Sequence, residues 1–370
     1  MQPEMSARER LDAVIRLEVP DRVPVGGRFD GFLARVAGIT MQEYVFDPDK
    51  AEAALYKTLE VVGHWDVIQR PTHGGALSFE LGAAQMRLPG RELQPDAGWQ
   101  GLESEVMTVA DYDLAIREGF EAYIRVFRER IGVVLDPQEI AATGRRFREN
   151  TLRCRAAGLE PICPSNMYTP YAVFEQMRSL TCFLVDLHRH PEKVLAACEA
   201  CIDAMIDTFL RSIADAPVRR AGFWGTRASP DFVSPRIFAK FYWPHLKKAA
   251  FAMIEAGITP VFHLDTNWGP VLHYLRDLPR GKCLVQLDGF TDIFEAKKEL
   301  GNHMAIMGDL PPTLLTLASP EEVTAYCRKL IEVVGKDGGF VLAAGCCVPL
   351  DAKPENVRAM IDAAKTYGRY

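Results

Sequence analysis

Residues 282–310, KCLVQLDGFTDIFEAKKELGNHMAIMGDL, decide the fold. The run CLVQL is apolar almost throughout, and a turn rich in Asp, Gly and Thr follows it. IFEAKKEL then has helical spacing and stops at Gly301, after which HMAIMGDL is a second apolar run. A strand whose two sides are both apolar belongs to a parallel sheet covered on both faces, because an antiparallel sheet with one wet face alternates. The stretch therefore predicts a β-α-β unit.

Outward from it the same unit repeats. RAGFWG precedes PRIFAKFYWPHLKKAAFAMIEAG, TPVFHLD precedes GPVLHYLRDL, HMAIMGDL precedes PEEVTAYCRKLIEVVG, and GFVLAAGCC precedes PENVRAMIDAAKTYG. With the central unit this makes five strand-helix pairs in succession. The helix ends carry their own signals: Ser234-Pro235 and Ser319-Pro320 are N-caps followed by proline at the first helical position, and Glu322 completes a capping box with Ser319. Gly257, Gly301 and Gly335 are placed to close three helices.

The first half is less regular. RVPVGGRF and DVIQRP read as strands, DPDKAEAALYKTLEVVG as a helix, ALSFELGAAQMRLPGREL (76–93) as an antiparallel hairpin, and residues 110–157 as helical. EPICPSNMYTP reads as a further strand before helices at about 170–180 and 191–214, and HRHPEK, with His188 and His190, as a surface connection. About eight parallel strands result, which predicts an α/β protein with a (β/α)8 TIM barrel and an N-terminal helical and hairpin elaboration. A doubly wound open sheet is the second architecture that fits. No linker divides the chain, so residues 1–370 are expected to form one domain.

Composition narrows the function. The chain is 48% hydrophobic and 25% charged, with a formal net charge of −6. It has no basic field for nucleic acid, and no run reaches the roughly 18 apolar residues of a membrane span. The start of the chain lacks a secretory pattern, so a cytoplasmic location is expected. Nine scattered cysteines make a disulfide framework a poor reading. Cys198 and Cys201, inside a helical pattern, read as core. There is no P-loop, no GxGxxG after a first strand and no nucleophile elbow.

In parallel α/β folds the chemistry sits beyond the C-terminal ends of the strands. That rule selects Trp224, Thr226 and Arg227, then His263 and Asp265 in PVFHLD, then Asp288, Asp309, and Cys346 with Cys347. His263, Asp265 and Cys346 offer nitrogen, oxygen and sulfur to one Zn2+, with a fourth position left for water or substrate. The alternative is a satisfied strand-end histidine and a buried thiol. Cys347 is expected to point away from Cys346 if the chain there stays extended. Asp288 and Asp309 read either as site carboxylates or as caps of the next helix. Tyr168, Tyr171, Phe223, Trp224 and Trp268 gather at the expected mouth, as a rim for a flat ligand or as ordinary packing.

MSARERLDAVIRLEVPDRVPV, SPRIFAKFYWPHLKKAAFAMIEAGITPVFHLD, LDGFTDIFEAKKELGNHMAIMGDLPPTLLTLASPEEV and GCCVPLDAKPENVRAMIDAAKTYG together resemble the uroporphyrinogen decarboxylase superfamily. The resemblance implies a (β/α)8 barrel and one of two chemistries. Cofactor-free decarboxylases resemble MRQAGRY near the start and GHGI near the end, where this chain has VGGRFDGF and GCCVP; Arg28 is what remains of that arginine clamp. The zinc-dependent, corrinoid-linked methyltransferases resemble a His-x-Cys pair on one strand and a GCxxP cysteine on the last. On that pattern His263 and Cys346 are metal ligands, and Asp265 stands where the pattern has cysteine.

The resemblance thus implies Zn2+ at His263, Asp265 and Cys346, and a methyl group moved between a small O-methyl or thiol substrate and the cobalt of a corrinoid on a partner protein. Asp288 or Asp309 is expected to orient a ligand or donate a proton, and Tyr168, Trp224, Arg227 and Trp268 to contact substrate. The competing readings are a metal-free lyase with Arg28 and Arg227 as carboxylate clamps, and a non-catalytic barrel that binds a corrinoid protein or tetrapyrrole.

Overall fold

The computed structural model describes residues 4–71, 77–82, 84–224 and 226–370. Its strands are β1 (Val25–Gly27), β2 (Val67–Ile68), β3 (Gln85–Arg87), β4 (Gln100–Leu102), β5 (Glu160–Pro161), β6 (Ser165–Met167), β7 (Arg220–Trp224), β8 (Thr259–Leu264), β9 (Leu284–Leu287), β10 (Ala305–Leu310) and β11 (Phe340–Ala344). Nine of them form one curled parallel sheet in the order β5-β2-β1-β11-β10-β9-β8-β7-β6. The two ends of the sheet, β5 and β6, lie on one stretch of chain and are separated by Ile162, Cys163 and Pro164 alone.

Two apolar layers hold the sheet. On its inner face Val67, Ile162, Val261, Leu284, Ala305, Met307, Val341 and Ala343 meet Leu11, Val14 and Ile15. Those last three come from the first helix, Ala7–Ile15, which starts at a Ser6–Glu9 capping box and buries one apolar stripe among the strands. The outer face packs against the helices that connect the strands, in a much larger cluster. This two-sided burial is why FVLAA is apolar throughout and CLVQL is apolar but for Gln286.

The first helix enters at the end of the sheet where the strands begin. There Arg220, the first residue of β7, bonds Asp12, and Asp66, immediately before β2, is buried under two arginines. Asp66 accepts from Arg10 at 2.6 Å, from Arg22 at 2.6 and 2.7 Å, and from the Val25 N–H at 2.9 Å. One carboxylate thus ties the N-terminal helix to the first two strands and leaves the opposite end of the sheet open for a site.

Three expectations change. Residues 76–93 do not pair as a hairpin: Leu77–Glu80 is a helical turn, and β3 pairs antiparallel with the more distant β4. Ala76 and Ala83 lie outside the described residues. Pro89-Gly90 turns the chain straight after β3, with Gly90 donating to the Leu93 carbonyl, so the partner strand comes from beyond that turn. GPVLHYLRDL forms a 3₁₀ helix, Gly269–Asp277. His188 belongs to a helix, Leu180–Arg189, that stands between the two expected ones, and its side chain is exposed.

Cys198 and Cys201 are both buried on the helix Pro191–Ser212, as core residues. Among the described residues no helix is long and apolar enough to cross a membrane. Replacing Asp66 with alanine leaves Arg22 without a carboxylate partner and Arg10 with Asp21 alone, and is expected to cost roughly 3 kcal/mol in urea unfolding.

Candidate metal centre

Side chains two apart on a strand share a face, so Val261, in the inner cluster, predicts that His263 and then Asp265 also point inward. His263 is 2% exposed. In the register of the sheet it sits between Trp224 of β7 and Gln286 of β9. The Trp224 ring packs against the imidazole at 4.4 Å between centroids, and the Gln286 amide oxygen lies 2.9 Å from Nδ1. A carbonyl oxygen only accepts, so Nδ1 carries the proton and Nε2 presents a lone pair.

That lone pair faces two other electron-rich atoms. Asp265 Oδ1 is 3.1 Å from Nε2 and Cys346 Sγ is 3.6 Å away, and the three ligand atoms all lie within 4.8 Å of one another. Such a group needs a shared proton or a cation at its centre. Zinc-ligand lengths at a tetrahedral angle place nitrogen and oxygen about 3.4 Å apart and nitrogen and sulfur about 3.6 Å apart. The observed separations fit a metal of that size.

Asp265 and Cys346 are brought in by loops that the sequence builds with care. After Asp265, Thr266 takes a left-handed backbone, φ 70°, which is costly for a β-branched residue. Asp288 accepts from its N–H at 2.7 Å, Ser229 bonds its hydroxyl at 2.6 Å, and Thr291 donates to its carbonyl at 2.9 Å. Trp268 is buried and donates from Nε1 to the Asp265 carbonyl at 2.7 Å. On the other side Gly345 brings the chain after β11 so near the Asp288 backbone that an added Cβ would lie 2.3 Å from its carbonyl oxygen. Only glycine lets Cys346 take its place.

Burial disfavours the charged form of Asp265, yet a positive centre at His263 Nε2, a proton where no cation is bound, outweighs it with smaller help from Cys346 and Arg28 and holds the carboxyl below the usual range. Cys346 and Cys347 are neighbours whose charges are felt by each other, so loss of a proton from one raises the other. The backbone bends at Gly345-Cys346, so the extended chain that would make their side chains diverge is not formed. Arg28, itself bonded to Asp30, sends a positive field that favours both thiolates.

The other expected residues distribute unevenly. Trp224 and Tyr168 line a cavity of about 200 Å³ beside the triad, together with Arg28, Arg70, Asn166 and Gln176. Trp268 acts on the Asp265 loop. Arg227 is bound by Glu103 at 3.1 Å and Glu175 at 3.4 Å, and Tyr171 donates to its carbonyl. The side chain of Thr226 lies outside the described residues. Asp288 spends both oxygens on backbone N–H groups, of Thr266 and of Phe290. Asp309 accepts from the Tyr326 hydroxyl of the helix Pro320–Val333 at 3.0 Å, and burial pushes it up to about 6.

Sequence reasoning passed over Gln286 and Arg70. A lone polar residue inside CLVQL was the available signal for the first. Nothing in the IQRP segment marked the second.

A curled parallel α/β sheet with three side chains of metal-ligand type gathered at the C-terminal ends of its strands defines the class of protein, and comparison with known proteins narrows it. Residues 161–367 match the model of the family "Uroporphyrinogen decarboxylase (URO-D)". The chain belongs to the uroporphyrinogen decarboxylase family. It is similar to the uroporphyrinogen decarboxylase of Methylococcus capsulatus, 40% identical over 111 residues, 30% of this chain and 31% of that protein. It is also similar to that of Aliivibrio salmonicida, 30% identical over 135 residues, 35% and 37% of the two chains. The match thus spans about a third of the length of these curated relatives. A solved structure described as a methyltransferase from Methanosarcina mazei shares the fold, with a TM-score of 0.68 and 20% identity, covering 98% of this chain and 99% of that one.

With a divalent metal held by the triad, Gln286→Leu, which removes the acceptor that fixes His263 Nδ1–H, is expected to weaken its affinity about 10–100-fold, measured against a competing chelator. His263→Ala and Cys346→Ser are expected to lose the metal outright. Asp309 tests the electrostatics separately. Its folded value lies above the ordinary 3.8, so the fold holds its proton more tightly than the unfolded chain does, and ionisation destabilises the fold as the pH rises through about 6. Asp309→Asn, which keeps a neutral group there, should gain on the order of 2 kcal/mol over the native protein between about pH 4 and pH 8.

Proposed function

We propose that the protein is a zinc-dependent methyltransferase that takes a methyl group from a small O-methyl compound, an aryl methyl ether, and passes it to Co(I) of a corrinoid carried by a separate protein. The observation that carries this reading is the convergence of His263 Nε2, Asp265 Oδ1 and Cys346 Sγ. One thiolate and one carboxylate form a harder ligand set than two thiolates, suited to activating oxygen. When bound, zinc would supply a Lewis acid that draws charge from the leaving oxygen. The electron pair of Co(I) forms a bond to the methyl carbon as the carbon-oxygen bond breaks, giving methyl-Co(III), and the departing phenoxide takes a proton from water to leave as the phenol.

The rest of the site supports that displacement through positioning. Gln286 holds the imidazole in the tautomer that leaves Nε2 free. Asp288 orients the Thr266 turn, and through it Asp265. Trp224 and Tyr168 give the substrate two aromatic walls. The family's decarboxylases use no metal, and the segments that would carry their chemistry read VGGRFDGF and GCCVP here. We take residues 160–167 as one interrupted strand that closes an eight-stranded barrel, with residues 1–370 as a single domain and a cytoplasmic setting that supplies the corrinoid partner.

The test is to load the purified chain with zinc, add an aryl methyl ether and cobalamin reduced to Co(I), and follow the cobalt spectrum together with phenol release. Conversion is expected, and loss of at least about a hundredfold in His263→Ala and Cys346→Ser. Reaction of a thiol with methylcobalamin instead would reverse the direction. Decarboxylation of uroporphyrinogen by metal-free protein would replace the reading with the lyase.

A further inference from the structure

Three arginines stand near the mouth, and two are already spoken for. Arg28 bonds Asp30, and its guanidinium carbon lies 5.9 Å from the Trp99 ring centroid and 5.8 Å from that of Trp224. Arg227 is held between Glu103 and Glu175. Arg70 differs. It follows β2 and lines the cavity of about 200 Å³, yet it makes no ion pair with any described residue, and its Nε is shut off from solvent with no hydrogen-bond partner. A buried guanidinium nitrogen without an acceptor is uncommon, since such groups are normally satisfied by protein, water or ligand.

The walls around it say what kind of ligand fits. Tyr168 and Trp224 offer flat apolar faces, and Asn166 already has its oxygen committed to Trp224 Nε1 at 2.6 Å. The same Trp224 ring packs against the His263 imidazole at 4.4 Å between centroids, so the cavity adjoins the triad through that ring. At about 30 Å³ per water the cavity has room for a small organic molecule. A planar, always-charged guanidinium is the natural partner of a carboxylate, which it meets with two parallel hydrogen bonds.

We infer that Arg70 is the substrate's anion receptor, and that the cavity takes a monocyclic aromatic carboxylate with its ring between Tyr168 and Trp224. That the bound molecule is the substrate rests on the methyl-transfer reading; that it binds does not. Arg28, paired with Asp30, shapes the wall, and Arg227 plays no part in holding the anion.

The experiment is calorimetric titration of the zinc-loaded full chain with benzoate and with benzyl alcohol, which has the same ring and no charge. Benzoate is expected to bind at least tenfold tighter. Arg70→Met should weaken benzoate about 10–100-fold while leaving benzyl alcohol affinity, zinc content and melting temperature as they were, and Arg70→Lys should recover part of the loss. Equal affinity for the two probes in the native protein, or unchanged benzoate affinity in Arg70→Met, overturns the inference. If Arg70→Met fails to fold, the comparison of the two probes on the native protein and on Arg70→Lys still decides. Benzoate binding without any methyl transfer would overturn the proposed function and leave the receptor standing.

Discussion

The proton on His263 Nδ1 is where the site begins. A strand buried on both sides allows few polar side chains, and each one present must have a partner. His263 and Gln286 are register neighbours on β8 and β9, so the amide oxygen of one meets the ring nitrogen of the other. This single contact settles the tautomer and turns Nε2 toward Asp265 and Cys346. The glutamine's own Nε2 is buried without a partner, an unspent donor on the side chain that holds His263.

Around that contact the loops are built to hold position. Thr266 adopts a backbone that a threonine avoids, and Asp288, Ser229 and Thr291 all bond it. Gly345 does the same work through its lack of a side chain, since any Cβ would collide with the Asp288 carbonyl. Asp288 therefore links the two loops that deliver Asp265 and Cys346. With both its oxygens on backbone N–H groups, this carboxylate keeps Asp265 and Cys346 in register.

The opposite end of the sheet shows how the same fold separates stability from chemistry. Asp66 binds two arginines and a backbone N–H where the strands begin, and the first helix fills the inner face with Leu11, Val14 and Ile15. With that end closed by apolar packing and a buried charge cluster, the polar inward-facing residues collect at the other end. The division follows from parallel strands, which all finish on one side.

The sequence by itself determined the parallel β-α order, because apolar runs such as CLVQL and FVLAA between amphipathic segments have few other solutions. It determined the helix starts at Ser234 and Ser319, whose capping is local chemistry. It also singled out His263, Asp265 and Cys346, since ligand types at strand ends stand out against apolar neighbours. Tertiary structure decided what depends on pairing between distant segments. β3 found its partner at β4, across a turn that left no periodic trace. The chain bends at Gly345 and Cys346, where Gly345 lies against the Asp288 backbone. Arg227 was drawn away by Glu103 and Glu175, and Arg70 was left alone in a cavity. Charge pairing is set by which side chains meet in space, and spacing along the chain carries no record of it.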